Sequence, residues 1–385
     1  MAFNNTVLSQ LLKMLPRHEF EKLANSHDGK RRSDALSRWS QFVALNVGHL
    51  GGRTSLRDIE ATLHTQPQQR YHLASQPVSR SALGRANERL DYSFYESLFT
   101  ALYERCTRHA PRHGFRFRGK LFSLDGSLID LSMKLFPWAD YNCKKAAFKL
   151  HVGLDHDGLI PAFAAITSGK ESEMKQAGQW KFPKGSVLVF DKGYNSYAWH
   201  NALSEQGYIW VTRIRGNALY RVIERRPVAH NTHITSDQVI EYTGKKAREE
   251  GLPPIRRVGY RDPETGKHYV FITNQFKWSA QTIADIYQQR WQVELFFKWI
   301  KQNLKIKAFL GISRNAVMTQ ILVALCLYLL LAYLKFRSRI SKSLQQILRL
   351  LQINLFIRRP LLELLNPIQP YPPPQPQLRL GLVRN

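Results

Sequence analysis

The stretch "GSVLVFDKGYNSYAWHNALSEQGYIWVTRIR", residues 185–215, has the pattern of a strand, a helix and a second strand. The apolar run 187–190 predicts a buried strand that ends at Asp191, and the helical segment after it leads into the strand "YIWVTRIR". Strands joined by a crossover helix are usually parallel members of one sheet. The stretch therefore predicts an α/β fold with a mixed sheet flanked by helices, and it places a carboxylate at a strand end.

Strand patterns continue on both sides of this unit. Upstream, "GKLFSLDGSLIDL" predicts a strand ending at Asp125, and residues 146–169 predict a hairpin whose turn is Asp157-Gly158. Downstream, alternating charge-rich segments predict a β-rich insertion at about 213–275, which interrupts the α/β domain. The sheet and its insertion occupy the middle of the chain.

After the insertion, residues 286–302, "IYQQRWQVELFFKWIKQ", place one carboxylate, Glu294, among basic and aromatic side chains. At about 100° per residue, Tyr287 and Lys301 lie within roughly 20° of Glu294 and Arg290 within roughly 40°, so the four share one helix face. The opposite face carries more apolar bulk than a surface helix needs: Ile286, Trp291, Val293, Phe296, Phe297 and Ile300. We expect a helix packed into a core, with its polar face on a cleft. The alternative is an ordinary Arg290–Glu294 ion pair on a solvated face.

This helix is expected to begin at an N-cap, Ser279, and to end near Lys305. The whole α/β domain is predicted to span residues 113–340. Residues 1–112 show helical periodicity and predict an N-terminal all-α DNA-binding domain. Residues 341–385 predict a basic, proline-rich C-terminal extension, whose tail "NPIQPYPPPQPQ" suits neither helix nor central strand.

One helix of the N-terminal domain is a candidate for reading DNA bases. Ser79 or Ser81 is expected to cap a short helix that presents polar side chains suited to the major groove: Arg80, Arg85, Asn87 and Arg89. A helix-turn-helix recognition helix fits this pattern, and so does a basic helix that is simply solvated.

The charge balance points to a polyanionic partner. The 385 residues contain 56 Lys and Arg against 29 Asp and Glu, a formal charge of +27, which exceeds what solubility requires. Cys106, Cys143 and Cys326 are scattered, so neither a disulfide framework nor a zinc site is expected, and the N-terminus lacks the pattern of a signal peptide. We therefore expect a cytoplasmic protein that binds nucleic acid; the family resemblance described below implies double-stranded DNA.

A membrane alternative rests on one segment, "AVMTQILVALCLYLLLAYLKF", residues 316–336, which is long and apolar enough to span a bilayer. A hydrophobic helix in the core of an α/β domain has the same pattern. Since nothing else in the sequence is typical of a membrane protein, we predict a core helix and no membrane.

Three carboxylates occupy positions where a ligand site is expected. Asp125 and Asp191 end predicted strands, where ligands bind in open α/β sheets, and the helix after the insertion brings Glu294 beside them. Clustered carboxylates repel one another unless a cation compensates, and oxygen-only ligands suit Mg²⁺ or Mn²⁺. Two such ions roughly 3.5–4 Å apart would stabilise both the attacking and the leaving oxygens of a phosphodiester. The alternative is that Asp125, before Gly126, and Asp191, before Lys192-Gly193, are turn residues.

The motifs "SLDGSLIDLS", "VLVFDKGY" and Tyr287-x2-Arg290-x3-Glu294-x6-Lys301 resemble those of the DDE transposases of bacterial insertion sequences, specifically insertion sequence family four. The resemblance covers roughly residues 118–310, and the helical N-terminus is similar to the domain often found in this group. It implies a ribonuclease-H-like fold whose β insertion lies between the second aspartate and the glutamate.

The resemblance also implies roles for particular residues. Asp125, Asp191 and Glu294 would be the catalytic ligands of Mg²⁺ or Mn²⁺, with two ions per site. The other three signature residues would contact DNA phosphates: Tyr287, Arg290 and Lys301. In the insertion, Arg213 and Arg215 would contact the DNA backbone. Trp210 is expected to be a core residue, and the alternative is that it stacks on a displaced base.

The implied reaction is cut-and-paste transposition. Such an enzyme would cleave at terminal inverted repeats, form and open a hairpin intermediate, and join the ends to target DNA. Related enzymes act as homodimers in a synaptic complex, and a bacterial, nucleoid-associated location is implied. The chain differs from some relatives because no separate C-terminal dimerisation domain is recognisable. Two alternatives keep parts of this interpretation: a ribonuclease-H-like nuclease without strand transfer, and an inactive domesticated DNA-binding protein.

Overall fold

The computed structural model describes residues 5–29, 35–132, 135–142, 145–169, 173–194, 196–230, 232–245, 249–304, 306 and 308–366. The predictions made for Cys143, for Lys305 and for the tail from Pro367 onward fall outside these residues.

The described strands form one mixed sheet, as predicted. Its order is β2-β3-β1-β5-β6-β10-β9-β8-β7, with β4 paired to β3. The pairs β1–β5 and β5–β6 are parallel, and the others are antiparallel. The strands are β1 Leu121–Leu131, β2 Asp140–Asn142, β3 Lys145–Asp155, β4 Ile160–Ser168, β5 Val187–Phe190, β6 Ile209–Arg213, β7 Tyr220–Arg226, β8 Ile234–Tyr242, β9 Ile255–Arg261 and β10 His268–Thr273.

Helices precede, connect and follow these strands. Before β1 the described residues contain α1 Val7–Leu12, α2 Arg17–Asp28, α3 Arg38–Leu50, α4 Leu56–His64, α5 Pro67–His72, α6 Arg80–Arg89 and α7 Ser93–Thr107. From β4 onward they contain α8 Glu173–Ala177, α9 Tyr197–Glu205, α10 Ala280–Gln289, α11 Trp291–Asn303, α12 Arg314–Arg337, α13 Leu344–Asn354 and α14 Leu361–Leu365. The architecture is the predicted α/β fold, a mixed sheet flanked by helices, with an N-terminal set of helices.

The insertion does not form a separate sheet. Its last strand, β10, pairs antiparallel with β6, and β9, β8 and β7 follow outward in turn. Strand β6 pairs with β5 along one edge and with β10 along the other. The insertion, although it interrupts the α/β domain in sequence, therefore extends the central sheet. Side chains of the insertion are therefore held in register with the strand that follows Asp191.

One predicted strand end and the predicted continuity of one helix are wrong. The first strand does not stop at Asp125 but continues to Leu131, because its antiparallel pairing with β3 runs on after its parallel pairing with β5 ends at Leu124. The helix that starts after Ser279 is not continuous, since it breaks at Arg290 into α10 and α11. Ser279 does cap α10, and its side chain accepts a hydrogen bond from the Thr282 backbone N–H.

The apolar segment forms α12, whose hydrophobic window lies entirely inside the protein. An α-helix that is hydrophobic on all sides requires apolar neighbours all round. Here α3 and α7 bury apolar residues in the same cluster as α12. Two polar contacts also join them to α12: the His49 ring contacts the Gln320 carbonyl at 3.1 Å, and the Cys326 thiol donates to the Tyr95 carbonyl at 3.8 Å. The N-terminal helices and the helix after the sheet thus share one core.

The predicted C-terminal extension is folded as far as Leu365. The backbone N–H groups of Val7 and Leu8 donate to the carbonyls of Ile357 and Leu355 at 3.0 and 2.9 Å. Apolar residues of α13, including Ile347 and Leu351, are buried in the same core. The Arg-rich composition of the segment after residue 340 concealed the apolar helical period of α13. The basic residues of that segment, such as Arg349 and Arg358, lie on the outer face of the packed helices.

His200 makes the stability of this fold depend on pH. Its ring on α9 is buried and stacks on Trp210 at 4.4 Å, and burial lowers its pKa to about 3. In the unfolded chain the imidazole takes up a proton as the pH falls below about 6.5, whereas in the folded chain it stays neutral until much lower pH. The contribution of His200 therefore leaves folding stability unchanged above about pH 6.5. Below that pH it lowers the unfolding free energy by up to about 1.4 kcal/mol per pH unit.

We expect a non-titrating variant, His200→Phe, to lose this part of the pH dependence. Urea denaturation at about pH 7 and about pH 5 should show a loss of unfolding free energy that is about 1–2 kcal/mol larger for the wild type than for the variant. Equal losses in both proteins would assign the acid sensitivity to other groups.

Candidate active site

The sheet places the two predicted aspartates side by side. Strands β1 and β5 are parallel, and Leu124 lies opposite Phe190 at the last position of their pairing. Asp125 follows Leu124 within β1, and Asp191 follows Phe190, the last residue of β5. Both carboxylates thus stand at the carboxyl edge of the sheet, where open α/β sheets bind their ligands.

The break between α10 and α11 brings a third carboxylate to this edge. Glu294 lies in the first turn of α11, and its Oε1 accepts a hydrogen bond from Arg290 Nη2 at 2.5 Å. The same guanidinium reaches Asp125, with 3.8 Å between Nη1 and Oδ2. The predicted i,i+4 pair of Arg290 and Glu294 exists, but only 13% of the Arg290 side chain is exposed. Arg290 is therefore a partly buried bridge between two of the acids.

A second arginine holds the remaining acid. Arg213, the last residue of β6, donates from Nη2 to Asp191 Oδ1 at 2.9 Å. The Tyr287 hydroxyl donates to the same oxygen at 3.3 Å. Arg213 and Tyr287 had both been predicted to contact DNA. In this structure both contact Asp191, one of the three candidate metal ligands.

These contacts set the charge state of the site. Partial burial would raise the pKa of the Asp191 carboxyl, but the backbone N–H of Lys192 and the Arg213 guanidinium outweigh it and hold that pKa below its usual value. Burial raises the pKa of Tyr287 to about 12, against the opposing charges of Arg290 and Arg213. At neutral pH, Asp191 is thus an anion and Tyr287 a neutral hydrogen-bond donor.

Lys301 contacts β1 beyond the first aspartate. Its ammonium group donates to Ser127 Oγ at 2.6 Å and to the Leu128 carbonyl at 3.0 Å. The four signature residues that the sequence placed on one helix face therefore all point toward the carboxyl edge of β1 and β5. Ser127 was missed, because a serine in a strand carries no sequence signal that it binds a lysine 174 positions away.

A cleft of about 510 Å³ borders the arginines. Its walls come from β6, the insertion and the helix break: Arg213, Tyr260, Asp262, Pro263, Glu264, Tyr269, Phe271, Tyr287, Gln288, Arg290 and Trp291. Trp291 had been predicted on the buried helix face, but it is 55% exposed because the break turns it toward this cleft. The insertion residues were missed, since their position depends on the pairing of β10 with β6.

Arg215 lies at a neighbouring concavity. It is exposed and, together with Lys192, Gly193 and Asn217, lines a space of about 420 Å³ that also borders Asp191. Trp210 is a core residue, as predicted, and its indole N–H donates to Ser204 Oγ at 3.0 Å.

The N-terminal candidates divide into exposed and buried residues. Ser79 caps α6, as one of the two predicted caps, and Arg80 and Arg85 are exposed. Asn87 was predicted to reach base edges, but it is buried and its Oδ1 accepts a hydrogen bond from Gln41 Nε2 at 2.9 Å. Its amide is committed to the packing of α6 on α3, so Asn87 cannot contact a base in this conformation.

The three acids suit a hard divalent cation by their chemistry. They are oxygen donors on rigid elements, and the side chains of Asp125, Asp191 and Glu294 are 20%, 34% and 33% exposed. In the part of the chain that the structure describes, no three acidic, histidine or cysteine groups are close enough together to hold an ion. Arginines contact all three carboxylates: Arg290 contacts Glu294 and Asp125, and Arg213 contacts Asp191.

Comparison with known protein families matches most of the chain. Residues 116–330 match the family described as transposase DDE domain, and residues 3–74 match a domain of unknown function, DUF4372. The first match contains Asp125, Asp191 and Glu294, and the second contains α1 to α5.

Curated relatives carry the same assignment. A Sinorhizobium fredii protein named as transposase y4zB is 33% identical over 69% of this chain and 74% of its own length. A Geobacillus stearothermophilus protein named as the transposase of insertion sequence element IS5377 is 29% identical over 69% of this chain and 68% of its own length.

Among solved structures, a piggyBac transposase synaptic complex with hairpin DNA aligns with a TM-score of 0.46 and 10% identity, over 92% of this chain and 80% of that one. The matched domain covers more than half of the 385 residues. The chain therefore belongs to the transposase DDE domain family and is an enzyme that acts on DNA.

Proposed function

We propose that this protein catalyses cut-and-paste transposition of a bacterial insertion sequence. In this proposal it cleaves phosphodiester bonds at the terminal inverted repeats and joins the freed ends to target DNA. The observation that carries the proposal is the convergence of Asp125, Asp191 and Glu294 on one edge of the sheet, each within reach of an arginine. Family membership supports the reaction class.

Asp125, Asp191 and Glu294 would hold the divalent cations on which the family depends, two Mg²⁺ or Mn²⁺ in our proposal. When bound, such ions supply charge stabilisation to the attacking and leaving oxygens of a phosphodiester. The parallel pairing of β1 and β5 keeps the two aspartates adjacent, and the first turn of α11 supplies the glutamate. In this proposal the sheet edge would keep the two aspartates side by side, and α11 would supply the third ligand.

The basic residues around the acids would bind and orient the DNA. Arg290 and Arg213 offer planar forks that match phosphate oxygens, whereas Lys301 offers a single ammonium. Tyr287 supplies a hydroxyl on the same face, and Arg215 is exposed on the adjoining loop. Arg80 and Arg85 on α6 would extend the contact to DNA outside the cleavage site.

The reaction would include a hairpin intermediate at the transposon end, formed when the freed 3′ hydroxyl attacks the opposite strand. Each end would be held by one subunit of a homodimer in a synaptic complex. The protein would work in the bacterial cytoplasm, associated with the nucleoid. These steps rest on the resemblance of the Tyr287, Arg290, Glu294 and Lys301 spacing to insertion sequence family four.

The test is a reaction on duplex DNA that carries the inverted repeats flanking the coding region. We expect Mg²⁺-dependent nicking at the repeat end, a hairpin product on denaturing gels, and joining of a pre-cleaved 3′-hydroxyl end to a supercoiled target plasmid. Cleavage without joining would favour the nuclease alternative. Binding to the repeat with neither cleavage nor joining would favour the inactive DNA-binding protein.

A further inference from the structure

We propose that Arg290 and Arg213 form an arginine lock, an internal pair of counter-ions that keeps divalent cations out of the site until DNA phosphates draw the two guanidinium groups away. The inference rests on the proposed function and adds an order of assembly to it. Cation binding and DNA binding would be coupled, and each would strengthen the other.

The first half of the lock is Arg290. Its Nη2 and Nη1 contact Glu294 and Asp125 at 2.5 and 3.8 Å, so one positive charge serves two carboxylates on different elements. These are the oxygens that a cation would need. A cation can bind both carboxylates only after it has displaced this guanidinium or after another anion has attracted it.

The second half is Arg213, with Tyr287 beside it. Both donate to Oδ1 of Asp191, at 2.9 and 3.3 Å. The Arg213 guanidinium carbon lies 5.9 Å from the Tyr287 ring and 6.0 Å from the Tyr269 ring. The Arg213 side chain therefore lies over two aromatic rings in the wall of the cleft where DNA would enter, and its guanidinium group is directed at Asp191.

Both guanidinium groups are left partly unsatisfied by this pairing. The Nε atoms of Arg290 and Arg213 are buried, and within the described residues neither has a hydrogen-bond partner. A buried N–H without a partner is unfavourable, so each arginine gains if it finds an acceptor that uses more of its donors. A DNA phosphate, with several oxygens and full negative charge, is such an acceptor.

The consequence follows from thermodynamic linkage. Because DNA phosphates and the three carboxylates compete for the same two arginines, DNA binding leaves the carboxylates with uncompensated negative charge. Their affinity for a divalent cation then rises, and by reciprocity the bound cation raises the affinity for DNA. A site of this design loads its cation chiefly when a transposon end is present.

The experiment measures Mn²⁺ binding to the full chain through the electron paramagnetic resonance signal of free Mn²⁺. The DNA is a pre-cleaved duplex that ends at the inverted repeat, so no hydrolysis can occur, and Mn²⁺ bound by this DNA alone is subtracted. Arg290→Gln and Arg213→Gln remove the lock. Arg221→Gln is the matched control, because it removes an arginine from an exposed pair with Glu241 in β8, away from the acids.

We expect DNA to lower the Mn²⁺ dissociation constant of the wild type by about 10-fold or more, a typical coupling between sites. Without DNA, Arg290→Gln and Arg213→Gln should each bind Mn²⁺ about 10-fold more tightly than the wild type, and Arg221→Gln should match the wild type. Misfolding would separate the three carboxylates and is expected to lower the Mn²⁺ affinity of the site, so a gain of affinity argues for release of the carboxylates by the arginine.

Two results would overturn the lock. One is equal Mn²⁺ affinity of the wild type with and without DNA. The other is no gain in affinity in the glutamine variants. If either occurs in a protein that still cleaves and joins DNA ends, only the lock fails. A wild type that neither binds Mn²⁺ with DNA present nor cuts DNA would remove the proposed function as well.

Discussion

Replacing Glu294 with glutamine is expected to lower the rate of transposon-end cleavage by about 10³-fold, because the variant lacks one of the three anionic ligands that charge stabilisation of the phosphodiester requires. Binding of the uncut end should be retained. Glu294 is the partner of Arg290 in this structure. Its neutralisation leaves the arginine more available for a phosphate, so the dissociation constant should not rise.

The measurement is single-turnover cleavage of an end-labelled duplex, alongside a gel-shift titration of the same DNA without divalent cation. Glu21→Gln is a close control, since Arg17 and Glu21 form another i,i+4 pair on a helix, at 2.7 Å, far from the acids in sequence. It should cleave at the wild-type rate. Cleavage by Glu294→Gln within about 10-fold of the wild type would show that Glu294 is not a ligand for the catalytic cation.

Replacing Arg256 with methionine is expected to cost about 3–5 kcal/mol of unfolding free energy, the usual effect of removing one partner of a buried ion pair. Arg256 is 2% exposed, and its Nη2 lies 2.6 Å from Asp237 Oδ2 on the neighbouring strand β8. It also donates to the carbonyls of Gln275 and Trp278 at 3.2 and 2.6 Å. The variant would leave a carboxylate and two carbonyls without their charged donor.

Urea denaturation tests this expectation against two other variants. Arg221→Met breaks an exposed pair, with side chains 67% and 37% accessible, and should cost less than about 1 kcal/mol. The double variant Arg256→Met with Asp237→Leu removes both charges and should recover part of the loss. A cost below about 1 kcal/mol for Arg256→Met alone would mean that solvent reaches the Asp237 carboxylate and compensates it.

The Arg256 contacts show why the insertion matters to the site. Trp278 directly precedes Ser279, the N-cap of α10, and Gln275 lies three residues before Trp278; α10 leads to Tyr287 and Arg290. A side chain in the middle of the insertion thus fixes the start of the helix that delivers the signature residues. We expect Arg256→Met to lower the cleavage activity in parallel with the loss of unfolding free energy.

Local patterns were sufficient to locate the acids. The apolar run before Asp191 and the strand through Asp125 can be identified from neighbouring residues, because burial of a strand is encoded in consecutive side chains. The hairpin of β3 and β4 follows from Asp157-Gly158, where Gly158 takes a positive φ of 79° that glycine adopts without strain. The helical period placed Tyr287, Arg290, Glu294 and Lys301 together, and their convergence survives the break at Arg290.

The ends of helices and strands, and the residues that surround the three acids, could not be predicted from local sequence patterns. The end of β1 depends on which partner strand continues, and the break at Arg290 has no proline or glycine to announce it. Asn87 was assigned to a DNA-facing surface because its burial depends on Gln41, 46 positions away. The basic composition of the C-terminal segment likewise hid helices that pack on α1.

The sequence by itself predicted the three acidic positions and the basic character of the face that surrounds them, since charge and period are local properties of the chain, and its motifs resemble those of DDE transposases. Only the tertiary structure decided what those charges do to one another. The contact between Arg213 and Asp191 joins β6 to the residue after β5, and the bridge from Arg290 to Asp125 joins the helix break to β1. Both depend on packing between residues distant in sequence, so no local pattern contains them.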